Sequence, residues 1–151
     1  MKKLMPLLSL LLIIMGCVQT GFIRPNPEEY TVNASGLFLI DSRSIIASES
    51  IINRDELMLY YSEARGSNLS NYVVRIIFNE SSNLDGFNLI SINGEEVYHK
   101  SGLSEQYAWL FDNGSIIVEG TYSDYGSIEF NEGVLEGLVR AYLIKLRPVN
   151  N

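Results

Sequence analysis

The side chains with the right types for chemistry are few in this 151-residue chain, and they are scattered. Cys17 is the single cysteine and His99 the single histidine. One thiol cannot make an intrachain disulfide, and zinc wants three or four nitrogen or sulfur ligands, so neither a metal nor another cofactor is expected. His99 falls near the end of an expected hairpin, and no serine sits in a Gly-x-Ser-x-Gly elbow that would make it a nucleophile. The acidic pairs Glu28-Glu29, Asp55-Glu56 and Glu95-Glu96 are adjacent in sequence. Neighbours on a strand point to opposite faces, which suits acid–base work poorly. Asp85, Asp112 and Asp124 sit at turns without the spacing of a calcium hand, and no glycine-rich phosphate loop occurs. No catalytic residue is therefore assigned, and the chain reads as a non-enzyme.

Two other kinds of residue invite attention. Asn-x-Ser sequons at Asn33, Asn68, Asn79 and Asn113 could carry glycans on an exported chain, and each serves equally well as a polar turn. The aromatics Tyr60, Tyr61, Tyr107, Trp109 and Tyr125 could line a ligand groove or a protein-binding patch. Trp109, between Tyr107 and Phe111 on one face of a strand, reads as core, whereas Tyr125 at a turn tip reads as exposed.

Cys17 has a context that explains it. Lys2 and Lys3 are followed by an apolar run from Leu4 to Met15, broken by Pro6 and Ser9. As a helix that run is about 18 Å long, short of the ~30 Å hydrocarbon core of a bilayer, and it suits the core of a signal peptide. It ends in Ile14-Met15-Gly16-Cys17, which resembles the lipobox of prokaryotic lipoproteins. The resemblance implies that the Cys17 thiol takes a diacylglyceryl group and that a peptidase cuts after Gly16, leaving Cys17 as the new N-terminus. It covers the leader alone. Two acyl chains give stable anchoring where one is marginal, so the expected partner is the membrane, reached through Cys17, with the chain outside the cytoplasm.

Without its first 16 residues the chain keeps 135, enough for one domain with a real core. Its formal charge moves from −7 to −9 as Lys2 and Lys3 leave. An acidic domain is repelled by nucleic-acid phosphates and by anionic headgroups, so nucleic acid is not an expected partner and the acyl chains must do the anchoring. Residues 17–29 read as lipidated N-terminus and linker, carrying Gly21, Pro25 and Pro27. Val18 to Glu29 spans at most about 40 Å, which keeps the domain near its membrane.

Residues 30–148 read as the globular part, mainly β. Leu37 to Ile40 is a short apolar run; Ile45-Ile46 and Ile51-Ile52 are ambiguous. Residues 54–65 carry helix punctuation but are dense in aromatics, and a strand is favoured. Tyr72 to Phe78 suits a central strand. Asp85-Gly86, Asn93-Gly94, Asn113-Gly114, Asp124-Tyr125-Gly126 and Asn131-Glu132-Gly133 mark turns between alternating runs, as in an antiparallel meander. Residues 134–146 fit a helix stripe through Leu135, Leu138, Val139, Tyr142 and Leu146, but Gly137 sits badly inside a helix and a strand is favoured. A meander of this kind closes as a barrel or folds as a sandwich. The leading functional expectation is a membrane-anchored domain that binds a protein or envelope component; the alternative is a small-ligand carrier built as a closed β-barrel.

Overall fold

A computed structural model describes residues 25–46, 55–66, 70–79, 81–121 and 130–149. The chain forms α1 (Pro27–Tyr30), β1 (Phe38–Ile46), β2 (Asp55–Ser62), β3 (Tyr72–Phe78), β4 (Asn88–Ile92), β5 (Glu95–Lys100), β6 (Ser104–Phe111), β7 (Gly114–Thr121) and α2 (Glu132–Lys145). All seven strands pair antiparallel in one sheet of order β1-β2-β3-β7-β6-β5-β4. Two meanders, β1–β3 and β4–β7, thus meet at the β3–β7 pair, and the connection from β3 crosses to the far edge. The antiparallel, mainly β single domain expected from the sequence is observed. The sheet stays open, with β1 and β4 at its edges, so the barrel of the carrier reading, and with it a closed lumen, does not form.

Strand alternation sorts the residues onto two faces. On the inner face Leu57, Ile76, Ile116 and Trp109 lie side by side across β2, β3, β7 and β6, each at most 1% exposed. α2 lies over this face and buries Leu135, Leu138, Val139, Tyr142 and Leu143. Tyr30, Val32, Ala34 and Leu37, on the segment leading from α1 to β1, pack against the same cluster. Each large side chain so buried contributes about 1.5–3 kcal/mol. Gly120 leaves a gap in β7 that Phe130 and Leu135 fill: a Cβ there would stand 2.8 Å from the Phe130 ring.

Residues 54–65 contain β2, as favoured. Residues 134–145 are helical and Leu146 caps the helix, against the strand favoured for 134–146, and the reason is geometric. A strand would have put Leu135, Val139 and Leu143 on the face opposite Leu138 and Tyr142; a helix brings all five to a sheet face that needs cover. Asn131-Glu132-Gly133, read as a turn, is the helix start: the Asn131 side chain accepts from the Gly133 and Val134 N–H groups. Gly137 is exposed with open space around its missing side chain, so it costs only about 1 kcal/mol of propensity.

The two Asn-Gly pairs behave differently. Asn93 (φ 55°) and Gly94 (φ 86°) form the two-residue turn between β4 and β5, both with positive φ as such a hairpin demands. Gly114 instead opens β7, paired with Phe111, and the turn is Asp112-Asn113. Gly114 is required by a close approach: a Cβ would fall 1.9 Å from the Ile77 carbonyl oxygen. Cys17, expected to be lipidated, and the expected leader before it, together with Ile51-Ile52, Asn68, Tyr122 and the turn at Asp124-Tyr125-Gly126, lie outside the described residues.

Candidate functional site

Three polar regions could carry function. The first lies beneath α2. The buried hydroxyls of Tyr61 and Tyr142 are hydrogen-bonded at 2.8 Å, and Val32 N–H donates to Tyr61 Oη at 3.4 Å. Asn131 N–H donates to Tyr72 Oη at 2.8 Å, and that hydroxyl donates to Glu63. Trp109 Nε1–H donates to the Leu146 carbonyl at 2.6 Å, satisfying an acceptor that the helix end leaves open. Burial pushes the phenols of Tyr61, Tyr72 and Tyr142 up from the ordinary 10.0. Every one of these groups is spoken for inside the fold, and their work is to lock α2 and the α1–β1 segment to the sheet.

The second gathers His99, Ser101 and Glu105 around the β5–β6 connection. His99 Nε2 bonds Glu105, Ser101 Oγ donates to the same carboxylate at 3.0 Å, and the His99 ring stacks on Tyr107 with centroids 4.8 Å apart. Burial, helped by Glu105, Glu136 and Glu132, raises the Tyr107 phenol. Sequence alone missed this trio because its members come from two strands and their connection. Its geometry is wrong for nucleophilic catalysis. Serine and carboxylate converge on one imidazole nitrogen, at 3.5 Å for Ser101, so the carboxylate competes with the hydroxyl for the nitrogen that a general base must keep open. The cluster staples a hairpin.

The third is an open cleft of about 480 Å³ beside α1. Asn26 caps α1 by accepting from Glu28 N–H at 3.2 Å, and it also lines the cleft. Tyr30, held over the core, meets Phe78 edge to face with ring centroids 5.1 Å apart, and both rings line the cleft. Burial, and then the neighbouring Glu29 carboxylate, raise the Tyr30 phenol. Asn79 stands at φ 59°, a left-handed conformation that asparagine tolerates, with its N–H bonded to the Asn113 carbonyl at 2.9 Å. That bond joins the two main chains just past the end of β3 and just before the start of β7, and both residues line the cleft. Asp55, at the start of β2, and Glu29 add two carboxylates. Among the described residues no side-chain hydrogen bond or ion pair occupies Asn79, Asn113, Asp55 or Glu29.

The sequence candidates divide accordingly. Asn79 and Asn113 come together in the cleft, Asn33 is exposed ahead of β1, and the Ser115 of the Asn113 sequon is 1% exposed and bonded to Ser82. Asp55 and Glu29 reach the cleft while their pair-mates do not line it: Glu56 on the outer face meets Arg75 at 2.7 Å, close but not aligned as a hydrogen bond. Trp109 and Tyr61 are core, and Tyr60 and Tyr107 are half-buried. The cleft residues that sequence reading passed over are Tyr30, Phe78 and Asn26; their one signal is the Asn-Pro cap pattern at 26–27. A smaller cavity of about 90 Å³ lies where β5 splays from β6 and the Val149 N–H pairs with the Leu110 carbonyl at 3.0 Å.

Among the described residues no group of three or more His, Cys, Asp or Glu side chains could hold a metal, and no helix is long and apolar enough to cross a membrane. Comparison of the chain with family models, curated proteins and solved structures returns no match.

Proposed function

We propose that this protein is a lipid-anchored, non-enzymatic binding domain at the outer face of a membrane, and that it holds an envelope or surface component in the cleft beside α1. The observation that carries the reading is the cleft's free polar side chains. The polar side chains beneath α2 are paired inside the fold, whereas the side chains of Asn79, Asn113, Asp55 and Glu29 line the cleft without a protein partner among the described residues. The cleft also opens next to Pro25 and Asn26, only eight residues or about 28 Å of extended chain beyond Cys17. A bound component would sit close to the membrane surface.

The test is a crosslinking capture from membranes of the native host, using wild-type protein, Cys17→Ser and Asp55→Ala. Wild type should retain an envelope component that Asp55→Ala loses. Cys17→Ser should lack the lipid mass and leave the membrane on alkaline washing. Membrane retention by Cys17→Ser would remove the anchor from the proposal, and undiminished capture by Asp55→Ala would remove the cleft.

A further inference from the structure

We propose that the cleft beside α1 binds a neutral saccharide, seating one pyranose ring against Tyr30 and Phe78. This rests on the reading of the cleft as the binding site of a tethered domain, and it names the chemistry of the occupant.

The lining selects by elimination. An anionic ligand is disfavoured: the cleft holds the Glu29 and Asp55 carboxylates, no lysine or arginine lines it among the described residues, and the whole chain carries −7. A wholly apolar ligand is disfavoured too. It would strip water from the amides of Asn26, Asn79 and Asn113 without replacing their hydrogen bonds, at about 1–3 kcal/mol for each group left unpaired. A small cation would answer to the two carboxylates alone; an occupant that uses the whole lining offers groups that both donate and accept, together with an apolar surface for two rings.

A sugar meets both needs. Its hydroxyls donate to the carboxylates and to the amide carbonyls, and they accept from the amide N–H groups. Its ring C–H face is apolar and packs on aromatic side chains, whose π surfaces attract the partial positive charge of C–H groups. The Tyr30–Phe78 pair, with an interplanar angle of 74°, forms a corner for such a ring. The volume of about 480 Å³ falls in the range of small-ligand sites and leaves the glycan free to continue through the open mouth. Part of the site is preformed: a backbone hydrogen bond holds the Asn79 and Asn113 main chains together, and the capping bond holds the Asn26 side chain. Ordering costs on binding are then small.

The experiment uses the full mature lipidated protein in a polyoxyethylene detergent, which has no sugar headgroup. Neutral hexose and N-acetylhexosamine mono- and oligosaccharides are titrated by calorimetry, with inorganic phosphate, choline and spermidine as contrasting probes. At least one sugar should bind with Kd of about 1 mM or tighter, and Tyr30→Ala and Asp55→Ala should each weaken it about tenfold or more. Asp55→Ala replaces a half-buried carboxylate that has no side-chain partner among the described residues, and it tests the site even if loss of Tyr30 disturbs the fold. Absence of binding by every sugar, binding that neither substitution changes, or tighter binding of phosphate or an amine would overturn the inference. The two levels separate cleanly. If no sugar binds yet Asp55→Ala still abolishes capture in the host, the saccharide falls and the binding domain stands; if capture is also unchanged, both fall.

Discussion

Beneath α2 and beside α1 the same kinds of side chain, phenols, amides and carboxylates, are used in opposite ways. Beneath α2 each polar atom has an internal partner: Tyr61 with Tyr142 and Val32, Tyr72 with Asn131 and Glu63, Trp109 with Leu146. Beside α1 the backbone makes the internal bonds, Asn79 N–H to the Asn113 carbonyl and the tight approach of Gly114 to Ile77, while the side chains face an open cleft. The difference teaches how a small domain separates holding itself together from holding something else. Side-chain pairing supplies stability in the first region. In the second, backbone pairing supplies it and leaves the side chains available.

If that division is right, the largest effect beside α1 must come from backbone. Gly114→Ala should destabilise by about 3 kcal/mol or more, because no side chain can yield to a Cβ placed 1.9 Å from a carbonyl oxygen. Urea denaturation reads this as a lowered midpoint with unchanged slope; a midpoint equal to wild type would show that the close approach is not obligatory.

Alkaline pH should break the region beneath α2. The folded phenols of Tyr61 and Tyr142 titrate above the ordinary 10.0 because burial disfavours the phenolate. The folded state therefore keeps protons that the unfolded chain releases. Their stabilisation is complete below pH 10 and falls as pH rises beyond it, by about 1.4 kcal/mol at pH 11 for Tyr142, with Tyr61 adding a loss in the same direction. Denaturation midpoints at pH 8 and pH 11 measure the loss, and the Tyr61→Phe, Tyr142→Phe double variant should lose less over the same interval.

Tyr61→Phe by itself should cost about 2 kcal/mol, since it strands both the Tyr142 hydroxyl and the Val32 N–H. Adding Tyr142→Phe should cost less than the sum of the single changes, because two phenyl rings leave no stranded hydroxyl. Strict additivity in the double-mutant cycle would mean that the pair is not coupled.

The smallest effects sharpen the contrast. Asn79→Ala should lose about 1 kcal/mol through its left-handed backbone, and Asn79→Gly should restore most of it. Asp55→Ala, whose carboxylate has no internal partner, should change stability by less than about 0.5 kcal/mol while weakening the binding proposed for the cleft about tenfold or more. A large stability loss in Asp55→Ala would place that carboxylate on the structural side of the division.

Much of this could be read along the chain. Alternation through Tyr72–Phe78 and Ile116–Gly120 gave strands with the expected inward residues, and Asn93-Gly94 formed the hairpin turn its chemistry demands. The two α-β ambiguities resolved in opposite directions because local pattern is degenerate for aromatic and leucine-rich runs. β2 had strands waiting on both sides, whereas the segment after Phe130 faced an inner sheet surface that only a helix stripe could cover with all five apolar side chains. Asn113-Gly114 carried the same dipeptide as Asn93-Gly94, yet its glycine answers to the Ile77 carbonyl, a neighbour 37 residues away in sequence.

The order of residue types was enough to determine a mainly β antiparallel domain, an acidic net charge and a lone thiol after an apolar run that resembles a lipobox, since strand alternation, charge and such short motifs are local properties. Which carboxylates, amides and rings share a cleft was decided only in three dimensions. Glu29, Tyr30, Asp55, Phe78 and Asn113 are brought together by strand register and by the placement of α1, and register depends on which buried rows match across the whole sheet.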